Sequence, residues 1–209
     1  MQKTTQRDGV CAAMPLLLAE DCVFPDNLFP TPIPTNEDDR WLVLHTKSRS
    51  EKELARRLHK RQIPFFLPQF RKDWRHRGRR LSSYLPLFPG YIFLFGNWEA
   101  RQYSLETNLV ANTLPVVDQD QLFQDLLQIH QLIASGASLS PEARLQAGAR
   151  VEIIAGPFAG MEGKIISRKS LRLVVEVRFI NQGVSVDIEN WMIRPAAATN
   201  QRPLLAARN

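Results

Sequence analysis

The sequence predicts an α+β protein in which a mainly antiparallel sheet flanked by helices is joined by a linker to a small C-terminal β-barrel. Between residues 41 and 134, short apolar strand patterns alternate with amphipathic helix patterns. Residues 135–147 have the small and polar composition that is typical of a linker. From residue 148 to 195, only strand-length segments separated by turn residues follow.

The segment 85–95 (LPLFPGYIFLF) combines a proline-containing turn with an aromatic strand. Its two prolines exclude a helix, and Gly90 allows a bend before the strand 91–95. Alternate side chains of a strand point to opposite faces of the sheet. Both faces are apolar here: one carries Tyr91, Phe93 and Phe95, and the other carries Ile92 and Leu94. This is either a central core strand or a strand with one face kept for a partner.

The other elements of the first half follow from periodicity. Residues 41–46 predict a buried strand, and Ser50 with Glu53 predicts a capping box for a helix with an apolar stripe at Leu54, Ala55 and Leu58. Further predicted elements are strands at 65–70 and 81–85, a helix at 98–105, a strand at 114–117 and a helix after Asp118 with Leu122, Leu126, Ile129 and Ile133 as its apolar stripe.

The C-terminal strands are predicted at residues 151–154, 163–167, 171–180 and 183–188, and the barrel is expected to close at 191–195. Residues 1–40 are rich in proline and acidic side chains, which predicts a disordered or loosely ordered leader. Residues 196–209 are expected to form a tail.

The charge is concentrated in one short segment. The chain has a net charge of +6 and a pI of about 9.7. Residues 71–80 alone carry six basic side chains and one acidic side chain around Trp74. A basic cluster with an embedded aromatic residue is typical of contact with a phosphate backbone, although a solvated hairpin tip has the same composition.

Several classes of function find no support in the sequence. No apolar run approaches the length of about 20 residues that a membrane-spanning helix needs. The four histidines have no metal-ligand spacing, and neither a nucleophile arrangement nor a phosphate-binding glycine loop is present. The body of the chain is free of cysteine, which suits the reducing cytoplasm. We therefore expect a cytoplasmic binding protein without a cofactor or metal, and not an enzyme.

Two stretches together resemble a known family. Residues 148–166 resemble a KOW motif, with the key positions Gly148, Val151, Gly156, Pro157, Phe158, Gly160 and Gly163. Upstream, a strand that opens on Trp41, a basic helix and the sequence Phe88-Pro89-Gly90-Tyr91 resemble the N-terminal domain of NusG. The resemblance covers residues 41–195. It implies a NusG-type domain at 41–134 and a KOW barrel at 148–195, in which Phe158 is expected to be core.

Some features depart from the common NusG pattern. Many relatives carry Pro-Gly-Val before the last strand of the first domain, whereas this chain has Asn108-Leu109-Val110. The basic hairpin, the phenylalanine-rich strand and the long leader are more similar to specialised paralogues of the RfaH type. This similarity implies antitermination at a restricted set of operons.

The resemblance implies that the protein binds RNA polymerase. The clamp helices of the largest subunit would dock in an aromatic pocket formed by Trp41, His45, Phe88, Tyr91 and Phe93. The gate loop on the other side of the cleft would contact Arg101, Gln102 and Tyr103. Bridging the two would disfavour the paused enzyme and suppress pausing or termination. Trp41 is also open to a purely structural interpretation, as a core residue.

The resemblance also implies contacts with DNA and with a second partner. Upstream duplex or non-template DNA would contact Lys47, Arg49, Arg57, Trp74, Arg75, Arg77 and Arg79, each of which is equally consistent with a solvated surface. Phe179 and Ile180 match the exposed KOW strand where family members bind Rho or the ribosomal protein NusE. Two alternatives remain: a housekeeping NusG-type factor that couples polymerase to Rho or the ribosome, and a KOW-containing ribosomal or RNA-binding protein. The last explains the pI and the barrel but not the Phe-Pro-Gly-Tyr domain.

Overall fold

The computed structural model describes residues 22–29, 37–76, 78–142, 149–165, 172–187 and 193–195. These residues form three helices, thirteen strands and one turn of 3-10 helix at Arg178–Ile180. The helices are α1 (Glu51–Lys60), α2 (Trp98–Glu106) and α3 (Gln119–Ala134). The strands are β1 (Val23–Phe24), β2 (Arg40–Thr46), β3 (Phe65–Phe66), β4 (Gln69–His76), β5 (Arg79–Pro86), β6 (Tyr91–Gly96), β7 (Val110–Pro115), β8 (Leu139–Glu142), β9 (Ala149–Ile153), β10 (Glu162–Ile165), β11 (Arg172–Val177), β12 (Gln182–Asp187) and β13 (Ile193–Pro195).

The N-terminal sheet is antiparallel, with the strand order β1-β3-β6-β2-β7. The aromatic strand β6 is central, as one interpretation of the sequence predicts. It pairs with β2 in a register that places Trp41 opposite Phe95 and His45 opposite Tyr91. The predicted mixed α+β architecture with a mainly antiparallel sheet is therefore confirmed.

Both faces of this sheet are covered, and the strand alternation assigns each side chain to its face. On one face, Leu42 and Leu44 of β2 and Ile92 and Leu94 of β6 pack with the predicted apolar stripe of α1. The stripe residues Leu54, Ala55 and Leu58 are all buried. On the other face, Trp41, Val43, Phe93 and Phe95 pack with Leu122, Leu126, Ile129 and Leu132 of α3. Each fully buried side chain of this size contributes about 1.5–3 kcal/mol.

A two-stranded ribbon of β4 and β5 extends from the sheet. The sequence predicts one strand over 65–70, but the structure divides it at Leu67 and Pro68 into β3 and β4. Proline cannot donate to a strand ladder, and the Pro68 carbonyl instead accepts the Leu87 N–H at 2.8 Å. Beyond this point residues 71–76 are all exposed, so the ribbon leaves the body of the protein.

The C-terminal sheet has the strand order β13-β9-β10-β11-β12-β8 and is antiparallel throughout. Over the described residues this sheet is open between β13 and β8, so the expected closed barrel is not found there. The strand β8 lies within the predicted linker. It pairs with β12 in a register that places Leu139 opposite Val186. Phe158 is buried, as expected.

Helix α3 joins the two sheets. Its apolar side chains lie in the same buried cluster as Trp41 and Phe93 of the N-terminal sheet and Val175 and Val177 of β11. The carboxylate of Asp125, in the middle of α3, accepts the backbone N–H of Arg178 at 3.0 Å. The core is therefore continuous from one sheet through α3 to the other.

Part of the predicted leader is integrated into the fold. Residues 22–29 include the edge strand β1, and Leu28 and Phe29 are buried in the core. For these residues the expectation of a loosely ordered leader is wrong. Residues 1–21 and 30–36, like the tail at 196–209, lie outside the described residues.

The predicted capping box at the start of α1 is wrong. Ser50 is the N-cap residue, but its side chain makes no capping hydrogen bond. Glu53 instead pairs with Arg56 and Arg57 at 2.6 and 3.1 Å, respectively. The other two helices are capped: Asn97 accepts N–H groups at the start of α2, and Asp118 does so for α3.

These caps predict different effects of alanine at two N-cap positions. Because Asn97 accepts from Glu99 and Ala100, N97A should lower the free energy of unfolding by about 1 kcal/mol. S50A removes no capping bond and should change it by less than about 0.5 kcal/mol. Urea unfolding of both variants measures the difference. Equal losses would contradict the assignment of the caps.

Candidate functional site

Three of the aromatic residues expected to line an open pocket are buried. Trp41, Phe88 and Phe93 are 2, 1 and 0% exposed, respectively. Phe88 meets Phe93 edge to face, with 5.9 Å between the ring centroids. The expectation of an open pocket at these rings is therefore wrong, because α3 and the rest of the core cover them. His45 is exposed and Tyr91 is half-buried, and their rings lie 5.2 Å apart at the end of the same face.

The turn before β6 is held rigidly at Gly90. Its N–H donates to the carboxylate of Glu51 at 2.7 Å, and its carbonyl accepts the N–H of Thr46 at 2.8 Å. Gly90 has a φ of +85°, and a Cβ at this position would lie 3.5 Å from the ring of His45. A larger residue would be strained there. These bonds fix the turn relative to both α1 and β2.

A groove opens to solvent beside this turn. It has a volume of about 670 Å³ and lies between the first turns of α1 and the base of the ribbon. Its apolar lining comes from Phe70, Tyr84, Leu85, Pro86, Pro89 and, from β8, Pro141. Its charged lining comes from Arg49, Glu51, Lys52, Glu53, Arg56 and Lys72. We call this the turn groove. It is an apolar concave surface bordered by four cations and two carboxylates, which suits an amphipathic partner.

The residues predicted to meet the gate loop lie together on α2. The guanidinium of Arg101 lies over the ring of Trp98 at 5.4 Å, and Arg61 lies over Tyr103 at 4.9 Å. Gln102 donates to Glu106 at 3.4 Å. Trp98 is 63% exposed and lines a second groove, of about 460 Å³, between the end of α1 and α2.

The cations predicted on and before α1 hold local structure. Lys47 donates to the side chain of Asn108 at 2.7 Å. Arg57 donates to Glu53 and to the carbonyl of Thr107 at 3.1 and 3.2 Å, respectively. Arg49 is exposed and has a φ of +60°. These contacts join α1 to the turn before β7, where the chain departs from the usual Pro-Gly-Val.

The ribbon presents apolar and basic residues in pairs. Phe70 stands opposite Leu85, and Trp74 stands opposite Leu81, with 42% and 36% of Trp74 and Leu81 exposed. Arg75 stands opposite Arg80, and His76 opposite Arg79. Like charges in direct opposition destabilise a strand pair unless an anion lies near them. Arg77 lies outside the described residues.

The sequence predicts that Phe179 and Ile180 lie on a strand, but in the structure they lie in the 3-10 turn Arg178–Ile180. The left-handed Asn181, with a φ of +51°, ends this turn. Phe179 is 39% exposed, so its ring is accessible beside the contact between α3 and β11. The structure thus places an exposed aromatic residue where the resemblance predicts one, on a different element.

A polar seam lies between α3 and the C-terminal sheet. Besides the Arg178 N–H, Asp125 accepts from Gln121 at 2.8 Å, and the Arg178 guanidinium donates to Gln121 at 2.8 Å. Burial raises the pKa of Asp125, partly offset by these donors and by the charge of Arg178. Asp125 and Arg178 line a small cavity, and the Lys164–Glu176 ion pair, at 2.7 Å, lines it as well. These hydrogen bonds of the buried Asp125 carboxylate link α3 to the 3-10 turn that follows β11.

Two findings bear on other classes of function. Within the described ranges, no group of His, Cys, Asp and Glu side chains could hold a metal ion. In the same part of the chain, no helix is both long enough and apolar enough to span a bilayer.

Family comparisons match both halves of the chain. The family described as transcription termination factor NusG matches residues 39–118, and the KOW motif matches residues 147–178. Residues 39–118 therefore belong to the NusG family, and a KOW motif follows them in the chain. This family binds RNA polymerase, and its members are not enzymes.

Comparison with solved structures gives a weaker likeness. The crystal structure of the MjSpt4:Spt5 complex in conformation B is 16% identical, over 75% of this chain and 97% of that chain, with a TM-score of 0.23. This score is too low to indicate a shared arrangement. No curated protein matches the chain.

The sequence did not reveal the turn groove or the seam. Phe70, Leu85 and Pro141 come from three separate elements, and only the ribbon register and the pairing of β8 bring them together. In the sequence, Asp125 is one of several polar residues in an amphipathic helix pattern. Its position between Leu122 and Leu126, on the apolar side of α3, was the one available signal.

The seam predicts a pH dependence that belongs to Asp125. Because burial raises the pKa of Asp125, the folded protein keeps this proton in the pH range just above the ordinary pKa of aspartate, where the unfolded chain has lost it. The contribution of Asp125 to the free energy of unfolding therefore falls as the pH rises through this range. D125N keeps an acceptor and should remove this dependence, whereas D125L leaves two donors unpaired and should cost about 1–3 kcal/mol. Urea unfolding at pH 4 and pH 7 measures both. Identical pH responses of parent and D125N would refute the assignment.

Proposed function

We propose that this protein is a transcription elongation and antitermination factor that binds RNA polymerase through the turn groove and suppresses pausing or termination. The observation that carries the proposal is the groove itself, because it opens to solvent beside Phe88-Pro89-Gly90-Tyr91. All of its lining residues except Pro141 lie in the part of the chain that matches the NusG family. The protein would act in the cytoplasm, on the transcribed nucleoid, without a cofactor or an enzymatic activity of its own.

Burial favours the groove over the rings as the docking surface. Access to Trp41, Phe88 and Phe93 would require α3 to leave the sheet, which exposes its apolar stripe as well. The turn groove needs no such change. A partner helix is about 10–12 Å wide, and it binds such a groove with apolar residues spaced along one face. We assign this role to the clamp helices of the largest subunit, with His45 and Tyr91 at the border of the contact.

A second contact would give the factor its effect on the polymerase. Arg101, Gln102 and Tyr103 lie on α2, and we propose that they meet the gate loop. A factor that holds both sides of the cleft favours the closed enzyme by its difference in affinity for the closed and open states. This bridging is the mechanism by which we expect pausing to be suppressed.

We propose that the ribbon contacts upstream or non-template DNA. The opposed pair Arg75 and Arg80, the pair His76 and Arg79, and the exposed Trp74 support this role. A two-stranded ribbon fits the major groove of a duplex, and the arginines would neutralise phosphates. Lys47, Arg49 and Arg57 are assigned to the same DNA. The basic ribbon is one of the features that resemble paralogues of the RfaH type, so we favour an RfaH-like role at a restricted set of operons.

The C-terminal sheet offers one surface for a further partner. Phe179 is exposed in the 3-10 turn, and Ile180 is half-buried beside it. We propose that this turn binds Rho or the ribosomal protein NusE. A housekeeping role in which the chain couples polymerase to one of them is the second candidate. The match over residues 39–118 disfavours a ribosomal protein.

The ribbon provides a matched pair of variants for the groove. F70A/L85A removes the apolar cross-strand pair that lines the groove, and W74A/L81A removes the next apolar pair on the same face, outside it. We expect F70A/L85A to weaken binding to core polymerase, measured without DNA, by at least about tenfold. W74A/L81A should bind as the parent does. If both variants bind as the parent does, the groove is not the docking surface. If the parent captures ribosomal subunits and not polymerase, the proposed role as a polymerase-binding factor is wrong.

The salt dependence of DNA binding tests the ribbon. R75Q/R80Q removes two cations that we assign to phosphates, so the slope of log K against log salt should fall by about 1.8 on duplex DNA. R71Q is the control, because the guanidinium of Arg71 already pairs with Asp73 at 2.9 Å. Its effect on the slope should be smaller. An unchanged slope for R75Q/R80Q, measured by fluorescence anisotropy, would exclude the ribbon.

A further inference from the structure

The segment of residues 22–29 crosses the edge of the N-terminal sheet, and we call it the strap. Its strand β1 pairs with β3, with Val23 opposite Phe66 and Phe24 opposite Phe65. The carbonyl of Cys22 accepts the N–H of Leu67 at 2.6 Å. The strap therefore covers the backbone edge that β3 would otherwise present.

The strap places an aromatic ring on each face of the sheet. Phe24 lies on the α1 side, where its ring stacks on His59 with 4.6 Å between centroids. A turn follows, in which the Leu28 N–H donates to the Pro25 carbonyl at 2.9 Å. This turn brings Phe29 to the α3 side, where it is only 6% exposed.

Phe29 is in contact with both the sheet and α3. Its ring lies 6.0 Å from Trp41 and 5.1 Å from Phe66 of the sheet. It also lies 4.7 Å from His130 and 6.0 Å from Phe123 of α3. A single side chain thus joins α3 to the N-terminal sheet at the edge of their interface, and such aromatic pairs add to the stabilisation from burial.

The backbone of the strap is held weakly in comparison. The strand β1 has two residues, so few hydrogen bonds must break for the strap to leave. Its attachment rests chiefly on the burial of Leu28 and Phe29. Segments held in this way open locally without unfolding of the whole chain.

We propose that the strap is a detachable lock on α3. With Phe29 in place, α3 stays on the N-terminal sheet; with Phe29 withdrawn, α3 and the C-terminal sheet that it carries become free to move. This inference goes beyond the proposed function, because it concerns the face of the N-terminal sheet that α3 covers, with Trp41 and Phe93, and not the turn groove.

Two substitutions in the full-length chain test whether the strap holds α3 in place or only covers the edge of the sheet. F29A should speed amide exchange in α3 by about tenfold or more, while exchange in β2 and β6 stays as in the parent. F24A is the matched control, since Phe24 lies on the opposite face. It should speed exchange in α1 and leave α3 as in the parent. Hydrogen exchange followed by mass spectrometry reports each segment.

His130 provides a second readout. Burial lowers the pKa of its imidazole, and Phe29 is one of the rings that bury it. F29A should therefore move the His130 titration, followed by NMR, up toward the ordinary value, and F24A should not. The proposal is overturned if F29A changes neither α3 exchange nor the His130 titration, or if it speeds exchange equally throughout the chain. If F29A does not fold, F29L is judged by the same criteria.

Discussion

The fold depends on the burial of α3 between two sheets. One side of this helix places Leu122, Leu126 and Ile129 in the core that also holds Trp41 and Phe93. The same helix carries Asp125, whose carboxylate accepts the backbone N–H of Arg178, in the 3-10 turn that follows β11. Apolar burial supplies most of the stabilisation, and the buried carboxylate adds specificity of position, because it is costly to leave without its donors. The relative placement of the two halves of the chain follows from this one helix.

This packing also decides which surface is left for a partner. Trp41, Phe88 and Phe93, the rings expected to form a polymerase pocket, are buried in the core, where they pack beneath the turn that precedes β6. The accessible apolar surface is displaced to the turn groove, which Glu51 holds in place through the Gly90 N–H. Pro141 of β8 lines the same groove. A movement of the C-terminal sheet would therefore change the groove, which gives the two halves of the protein a physical means of communication.

The sequence predicts well what depends on regular alternation and poorly what depends on competition or distant contacts. The two faces of β6 and the stripe of α1 are confirmed, because burial follows directly from strand and helix periodicity. The capping box fails because Arg56 and Arg57 lie within reach of Glu53 and offer it charged partners instead. The strap and β8 resemble a leader and a linker by composition, but the structure pairs them with the edges of β3 and β12 and buries Leu28 and Phe29 of the strap. The roles of Phe29 and Asp125 rest on residues far apart in sequence, which no local pattern contains.

Hydrogen exchange of the full-length chain, free and bound to core RNA polymerase, tests the central claim most directly. If the turn groove is the docking surface and α3 stays in place, binding should protect the amides of residues 84–91 and of the first turn of α1. The amides of α3 should then exchange as they do in the free protein. Faster exchange in α3 on binding, with new protection in β2 and β6 and none at residues 84–91, would show that polymerase takes the buried rings instead and would contradict this account.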